Sequence, residues 1–146
     1  MNGGTQTIAA GDELPPLALP PLSRTTCALF AGASGDHNPI HIDIDAAKAA
    51  GLPDVIGHGM LSMAMLGRLL TGWMPQAHLR SFTVRFQEPT LIGDAVTCAG
   101  RVLERTEAGQ EVLIRVEISA VDQQGKIKTV GEATAALTIE NENETP

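Results

Sequence analysis

The chain has 146 residues, 43% of them hydrophobic and 18% charged. Ten lysines and arginines against seventeen aspartates and glutamates leave a net charge of −7. That balance argues against a nucleic-acid partner, whose phosphates need a basic face, and against an anionic membrane surface. An anionic small molecule stays open, because it needs only a local basic patch.

The length suits a single domain over residues 1–146, with the ordered core expected over residues 12–139 and polar tails outside it. Two cysteines, Cys27 and Cys98, fit reduced thiols in a cytosolic protein better than a disulfide framework. Residues 1–12 lack a basic region followed by an apolar stretch, so no signal peptide is expected. The longest apolar segment, residues 59–73, carries Arg68 and is shorter than the roughly 20 residues of a bilayer span. The expectation is a cytoplasmic protein.

In chain order, residues 1–11 are polar and glycine-rich, and read as loose. Residues 14–22 hold Pro15, Pro16, Pro20 and Pro21, which restricts them to an edge strand or an extended lead-in. Ser23 is placed to cap a helix over 24–33, with Gly32 and Gly35 marking its end. Residues 36–45 read as an ordered loop around Pro39. A short helix follows, capped by Asp45, filled by residues 46–50 and stopped by Gly51.

Residues 59–73 form the most helical stretch, about 22 Å long at ~1.5 Å per residue. Its apolar residues lie on nearly all sides, which predicts a buried helix. From Arg80 the period changes to two. Phe82, Val84 and Phe86 alternate with Thr83 and Arg85; Val96, Cys98 and Val102 follow. Val112, Ile114, Val116, Ile118 and Ala120 come next, then Ile127, Ala133, Ala135, Leu137 and Ile139, with Gly131 breaking the run. Residues 104–110 and 122–126 read as turns. Connections this short leave no room for crossover helices, so the four strands are antiparallel, wrapped on the buried helix in an α+β domain.

Chemistry concentrates in two places. Residues 34–41 put Asp36 and His41 five positions apart in a loop bounded by glycine and proline. A carboxylate and an imidazole are a common pair for moving a proton at a water or a carbon acid. Asn38 can orient either group or hold the loop through an Asx turn, and Pro39 limits the backbone. The same residue types also make ordinary solvated turns. The second place is Gly57-His58-Gly59-Met60 at the start of the apolar helix. The first helical N–H groups have no internal partner, and they suit a developing oxyanion. The two glycines equally suit a tight turn into the helix. Together the two features hold what proton transfer beside a carbonyl requires.

Other motifs are weaker. His37, His41, Asp43 and Asp45 lack the spacing of a calcium loop or a zinc motif, so no metal is expected. No nucleophile elbow, phosphate loop or dinucleotide fingerprint occurs. Met60, Met63 and Met65 read as core, with a flexible acyl pocket as the other use of such a stripe.

Phe30-Ala-Gly-Ala-Ser-Gly-Asp36-His-Asn38-Pro39-Ile-His41, followed by Ala47, resembles the hydratase motif of the MaoC-like, (R)-specific enoyl-CoA hydratase family. His58-Gly59-Met60-Leu61 resembles that family's second signature. Phe82-Thr-Val-Arg-Phe86 and Leu91-Ile-Gly93-Asp94 are similar to its strand and loop pattern. The likeness runs from Asp12 to Ile139, and short 3-hydroxyacyl carrier-protein dehydratase subunits look similar too.

The resemblance implies a hot-dog fold, an antiparallel sheet wrapped around a long central helix. It implies dimers, with homodimers expected here. It implies the hydration of trans-2-enoyl thioesters and dehydration of (3R)-hydroxyacyl thioesters, carried by CoA or acyl carrier protein. Asp36 and His41 match the family's dyad, Gly59 its oxyanion donor and Asn38 its support, with His58 and Met60 beside them. No cofactor is implied, because the thioester arm belongs to the substrate. Arg80, Arg85 and Arg101 are candidates for a CoA phosphate. A thioesterase on the same fold, or a non-catalytic acyl-binding subunit of a heteromer, remains the alternative.

Overall fold

The computed structural model describes residues 7–139. Residues 1–6 and the expected tail at 140–146 lie outside it. The proline-rich lead-in becomes β1 (Leu17–Ala18), an edge strand paired antiparallel with β3. The expected looseness of residues 1–11 does not extend to the described part. The Gly11 N–H donates to the Val102 carbonyl at 2.8 Å, and Ile8 packs on the core. Backbone pairing with β3 orders a segment whose composition gave no such signal.

Helix α1 (Arg24–Ser34) starts where Ser23 Oγ accepts from the Thr26 N–H at 3.1 Å. It ends at Gly35, whose φ of 75° is left-handed and favours glycine. It is one residue longer than expected, because Gly32 stays helical and only Gly35 supplies the cap. Helix α2 (Ile44–Ala49) is capped by Asp43, not Asp45. The Asp43 carboxylate accepts from the Asp45 and Ala46 N–H groups, and Asp45 sits in the first turn.

Helix α3 (Gly59–Trp73) has the expected bounds. Strands β2 (Leu79–Phe86), β3 (Thr97–Ala108), β4 (Glu111–Val121) and β5 (Ile127–Thr138) follow. All pairings are antiparallel, and the five-stranded order is β1-β3-β4-β5-β2. Strand β2 crosses over to pair with β5, which makes it an outer strand of the sheet. Residues 104–108, expected as a turn, extend β3 instead, and the turn shrinks to Gly109 and Gln110. Arg115 on β4 reaches Glu104 at 3.2 Å and Glu132 at 3.3 Å, so this polar end is held by pairing and charge, not burial.

One face of α3, with Ser62, Leu66, Leu69 and Leu70, is buried against the sheet. Val112, Ile114 and Val116 of β4 and Ala133 and Ala135 of β5 meet it. Each fully buried leucine contributes about 1.5–3 kcal/mol relative to exposure. The helix is not buried all round as expected: Met60 is 57% exposed, and Ala64 and Arg68 face outward. A sheet that curls over one side leaves the other side uncovered.

Candidate active site

The α1–α2 loop and the start of α3 meet at one end of the sheet. Backbone and short side chains set the loop. Ser34 Oγ accepts from the Asp36 N–H, and the Asp36 carboxylate accepts from the Asn38 N–H, both at 3.2 Å. Asn38 Oδ1 then accepts from the Ile40 N–H at 3.3 Å and caps a 3-10 turn over Pro39–His41. That turn swings His41 inward. Asn38 therefore acts on the loop and not on a ring nitrogen.

His41 is buried, and its Nδ1 lies 2.7 Å from the Ile56 carbonyl. A carbonyl only accepts, so Nδ1 carries a proton, and in the neutral ring Nε2 is then the nitrogen with the lone pair. His58 is 1% exposed; its Nε2–H donates to the Asp36 carbonyl at 3.1 Å. Its ring stacks on His41 with centroids 3.8 Å apart, and Phe30 makes an edge contact with it at 4.9 Å. His58 thus fixes both the backbone of Asp36 and the plane of His41. Its Nδ1 is buried without a hydrogen-bond partner.

Asp36, His41 and His58 each bring one polar atom to within 4.8 Å of the others. That span fits a single water hydrogen-bonded at both ends. A metal is a poorer fit. The two rings are stacked, so their remaining lone pairs run along near-parallel planes that do not converge on one ion.

Two cavities adjoin at this cluster. One, of about 510 Å³, opens between Asp36, Phe30, Met60, Met63, Gly67 and Phe82 and is mostly apolar. The other, of about 240 Å³, is lined by His41, Gly59, Ser62, Phe86, Thr90 and Thr129. Gly59 is the first residue of α3, and no side chain caps that end. Its N–H therefore has no intrahelical partner. The structure brings Asp36, His41, His58, Gly59 and Met60 together. It does not bring the three arginines. Arg80 pairs with Glu111, and Arg85 and Arg101 line a separate groove with Glu117 and Glu132 on the outer sheet face.

The sequence reading missed the wall that braces Gly59. The Gly57 N–H donates to the Thr90 carbonyl at 2.8 Å, and Ser62 Oγ and Thr90 Oγ1 lie 3.1 Å apart. A Cβ at position 57 would touch Thr90 at 3.4 Å and press on the Leu22 side chain at 3.0 Å, so Leu22 would have to give way. Ser62, a lone hydroxyl on the buried face of an apolar helix, was the available signal. Both cysteines are buried, as expected. Burial pushes the Cys98 thiol up to about 11 against the opposing charge of Arg68. Burial, with the charge of Asp54, also raises Cys27.

The family profile described as the MaoC like domain matches residues 9–136. An (R)-specific enoyl-CoA hydratase from Rhodospirillum rubrum is 35% identical over 120 residues, 80% of each chain. A mitochondrial 3-hydroxyacyl-[acyl-carrier-protein] dehydratase from Solanum lycopersicum is 29% identical over 74% of this chain, which spans 66% of that relative's length. The solved (R)-hydratase from A. caviae superposes with a TM-score of 0.76 at 25% identity, over 88% of this chain and 96% of that one.

Proposed function

The chain belongs to the MaoC-like dehydratase family and has its hot-dog fold, and from that premise we propose that it reversibly hydrates trans-2-enoyl thioesters. The reverse direction dehydrates (3R)-hydroxyacyl thioesters. The relatives are named as hydratases and dehydratases, which supports a hydro-lyase. The observation that carries the finer reading is the Asp36–His41 cluster beside the uncapped start of α3.

In this reading Asp36 and His41 Nε2 hold one water between them. As its oxygen adds to C3, the dyad takes a proton from it, and C2 gains a proton. Atoms balance as one water added across the double bond. Electron density moves through C2 on to the thioester oxygen. The Gly59 N–H and the positive end of the α3 dipole meet that oxyanion, an effect worth about 10²–10³ in rate when one such donor is removed. The mostly apolar cavity between Phe30, Met63 and Phe82 receives the acyl tail. No metal or redox cofactor takes part.

The assembly belongs to the same proposal. The outer strand β2 and the uncovered side of α3 are the surfaces a second copy would cover, giving a homodimer. The location proposed is cytoplasmic; among the described residues no helix is long and apolar enough to cross a membrane. The test is turnover. Asp36→Asn and His41→Ala should each lower kcat by at least about 100-fold with the fold intact, since an acid or base of this kind contributes 10²–10⁴. Near-wild-type rates in a normally melting variant would remove the dyad from the account. Light scattering of a stable monomer would remove the homodimer.

A further inference from the structure

Lys128, near the start of β5, is a buried cation far in sequence from every motif above. It is 3% exposed. Its ammonium lies 2.9 Å from Asp94 Oδ2 and 3.2 Å from Asp122 Oδ2, and it donates to the Pro89 carbonyl at 3.2 Å. An ammonium has three N–H donors, and these three acceptors satisfy it. The carboxylates are tied in their turn. Asp94 Oδ2 accepts from the Leu91 N–H at 2.8 Å, and Asp122 Oδ1 accepts from the Gln124 and Lys126 N–H groups at 2.8 and 2.9 Å.

The geometry of this cluster reaches the site in two steps. Pro89 precedes Thr90, whose carbonyl holds the Gly57 N–H and whose hydroxyl meets Ser62. The Lys128 carbonyl also accepts from the Gln87 N–H at 2.8 Å, so both ends of residues 87–90 are pinned to β5. Gly57 and Ser62 flank His58 and Gly59. Thr90 and Thr129 share with Gly59 and His41 the smaller cavity.

We propose that Lys128, clamped by Asp94 and Asp122, is a positioning residue that fixes the β2–β3 connection against Gly57 and Ser62 and so aims the Gly59 N–H. The proposal rests on the hydratase reading for its catalytic consequence only. Lys128 lines neither cavity at the cluster, so its charge acts through the backbone it holds. A buried ion cluster is suited to this because its directional bonds specify one backbone path, which apolar packing alone would leave looser.

The test compares Lys128→Met with Val116→Ala, a core truncation in β4 that leaves the cluster whole. Amide exchange of Gly57, followed by NMR, should speed up by about tenfold or more in Lys128→Met, reflecting loss of local protection, and not in Val116→Ala. With crotonyl-CoA, kcat should fall about tenfold or more with KM shifted less, since aiming an oxyanion donor acts mainly in the transition state. Val116→Ala, assayed well below its own melting temperature, should keep kcat. Unchanged Gly57 exchange in a folded Lys128→Met would overturn the proposal, as would an equal kcat loss in Val116→Ala. If the single variant does not fold, Lys128→Met with Asp122→Asn removes one opposing carboxylate and is read by the same two measures. A wild type without hydratase activity would sink the functional reading, and the exchange data would still decide the brace.

Discussion

Gly131→Ala tests whether β2 lies where the chain places it. Alanine for glycine in a strand ordinarily stabilises by about 0.4–1 kcal/mol, by narrowing the unfolded ensemble. Here the space forbids it. A Cβ at 131 would lie 2.0 Å from the Thr83 carbonyl oxygen and 2.9 Å from Val84 Cγ1. Carbon and carbonyl oxygen need about 3.3 Å, so β2 would have to retreat by roughly 1.3 Å. That carries the neighbouring ladder bonds past hydrogen-bond range. Two lost bonds at about 1 kcal/mol each, with partial exposure of Phe82 and Val84, give a net loss of about 2–4 kcal/mol. At roughly 2–4 °C per kcal/mol the midpoint falls by about 5–15 °C. Phe82 and Phe86, which wall the two cavities, move with the strand. Thermal melting by circular dichroism reads this directly. A midpoint equal to or above wild type would refute the placement of β2 against β5.

Three further outcomes are expected. Cys98, pushed up to about 11 by burial, and Cys27, raised the same way, should resist an aromatic disulfide reagent at pH 8 in the native protein and react on unfolding; fast native labelling would contradict their burial. Leu66→Ala, at a side chain with no exposure, should cost about 2–5 kcal/mol by denaturant titration, and a cost under about 1 kcal/mol would contradict the packing of α3 on the sheet. The cluster around Lys128 should shape the pH dependence of stability. Burial works against the charge on Asp122, but the Lys126 and Gln124 N–H groups and Lys128 outweigh it and hold its pKa below the carboxylate range. Its contribution is present above the unfolded value of about 3.9 and is lost as pH falls through the lower folded value. Burial likewise opposes the charge on Lys128, while Asp94 and Asp122 raise it, so that contribution is full below about 10.4 and is lost as pH rises through the higher folded value. Melting across pH should show Asp122→Asn with a shallower acid limb; an unchanged limb would contradict the assignment.

What was legible in the sequence was what burial writes into residue type. Val112 to Ala120 alternate without a break, and β4 follows that pattern. Helix α3 starts at the glycine and ends at the tryptophan expected of it. The loop from Asp36 to His41 and the turn at Gly59 were recognisable because glycine, proline and the polar residues punctuate them. Features set by partners distant in sequence were not. Residues 104–108 are polar on both faces and read as a turn until their pairing with β4 is known. Asp43 and Asp45 are equal caps by type, and only the backbone entering the helix separates them. Lys128 carried no signal, because Asp94, Asp122 and Pro89 reach it only through the sheet topology. The uncovered side of α3 has the same cause: its apolar residues state what they need, not which surface supplies it.

The most direct measurement follows the ultraviolet absorbance of crotonyl-CoA with the wild-type protein and with Asp36→Asn, alongside a thiol assay and a carrier-protein thioester. The account predicts loss of enoyl absorbance without release of free thiol, and a rate lower by at least about 100-fold in the variant. Thiol release in step with absorbance loss, or an Asp36→Asn rate equal to wild type, would contradict it.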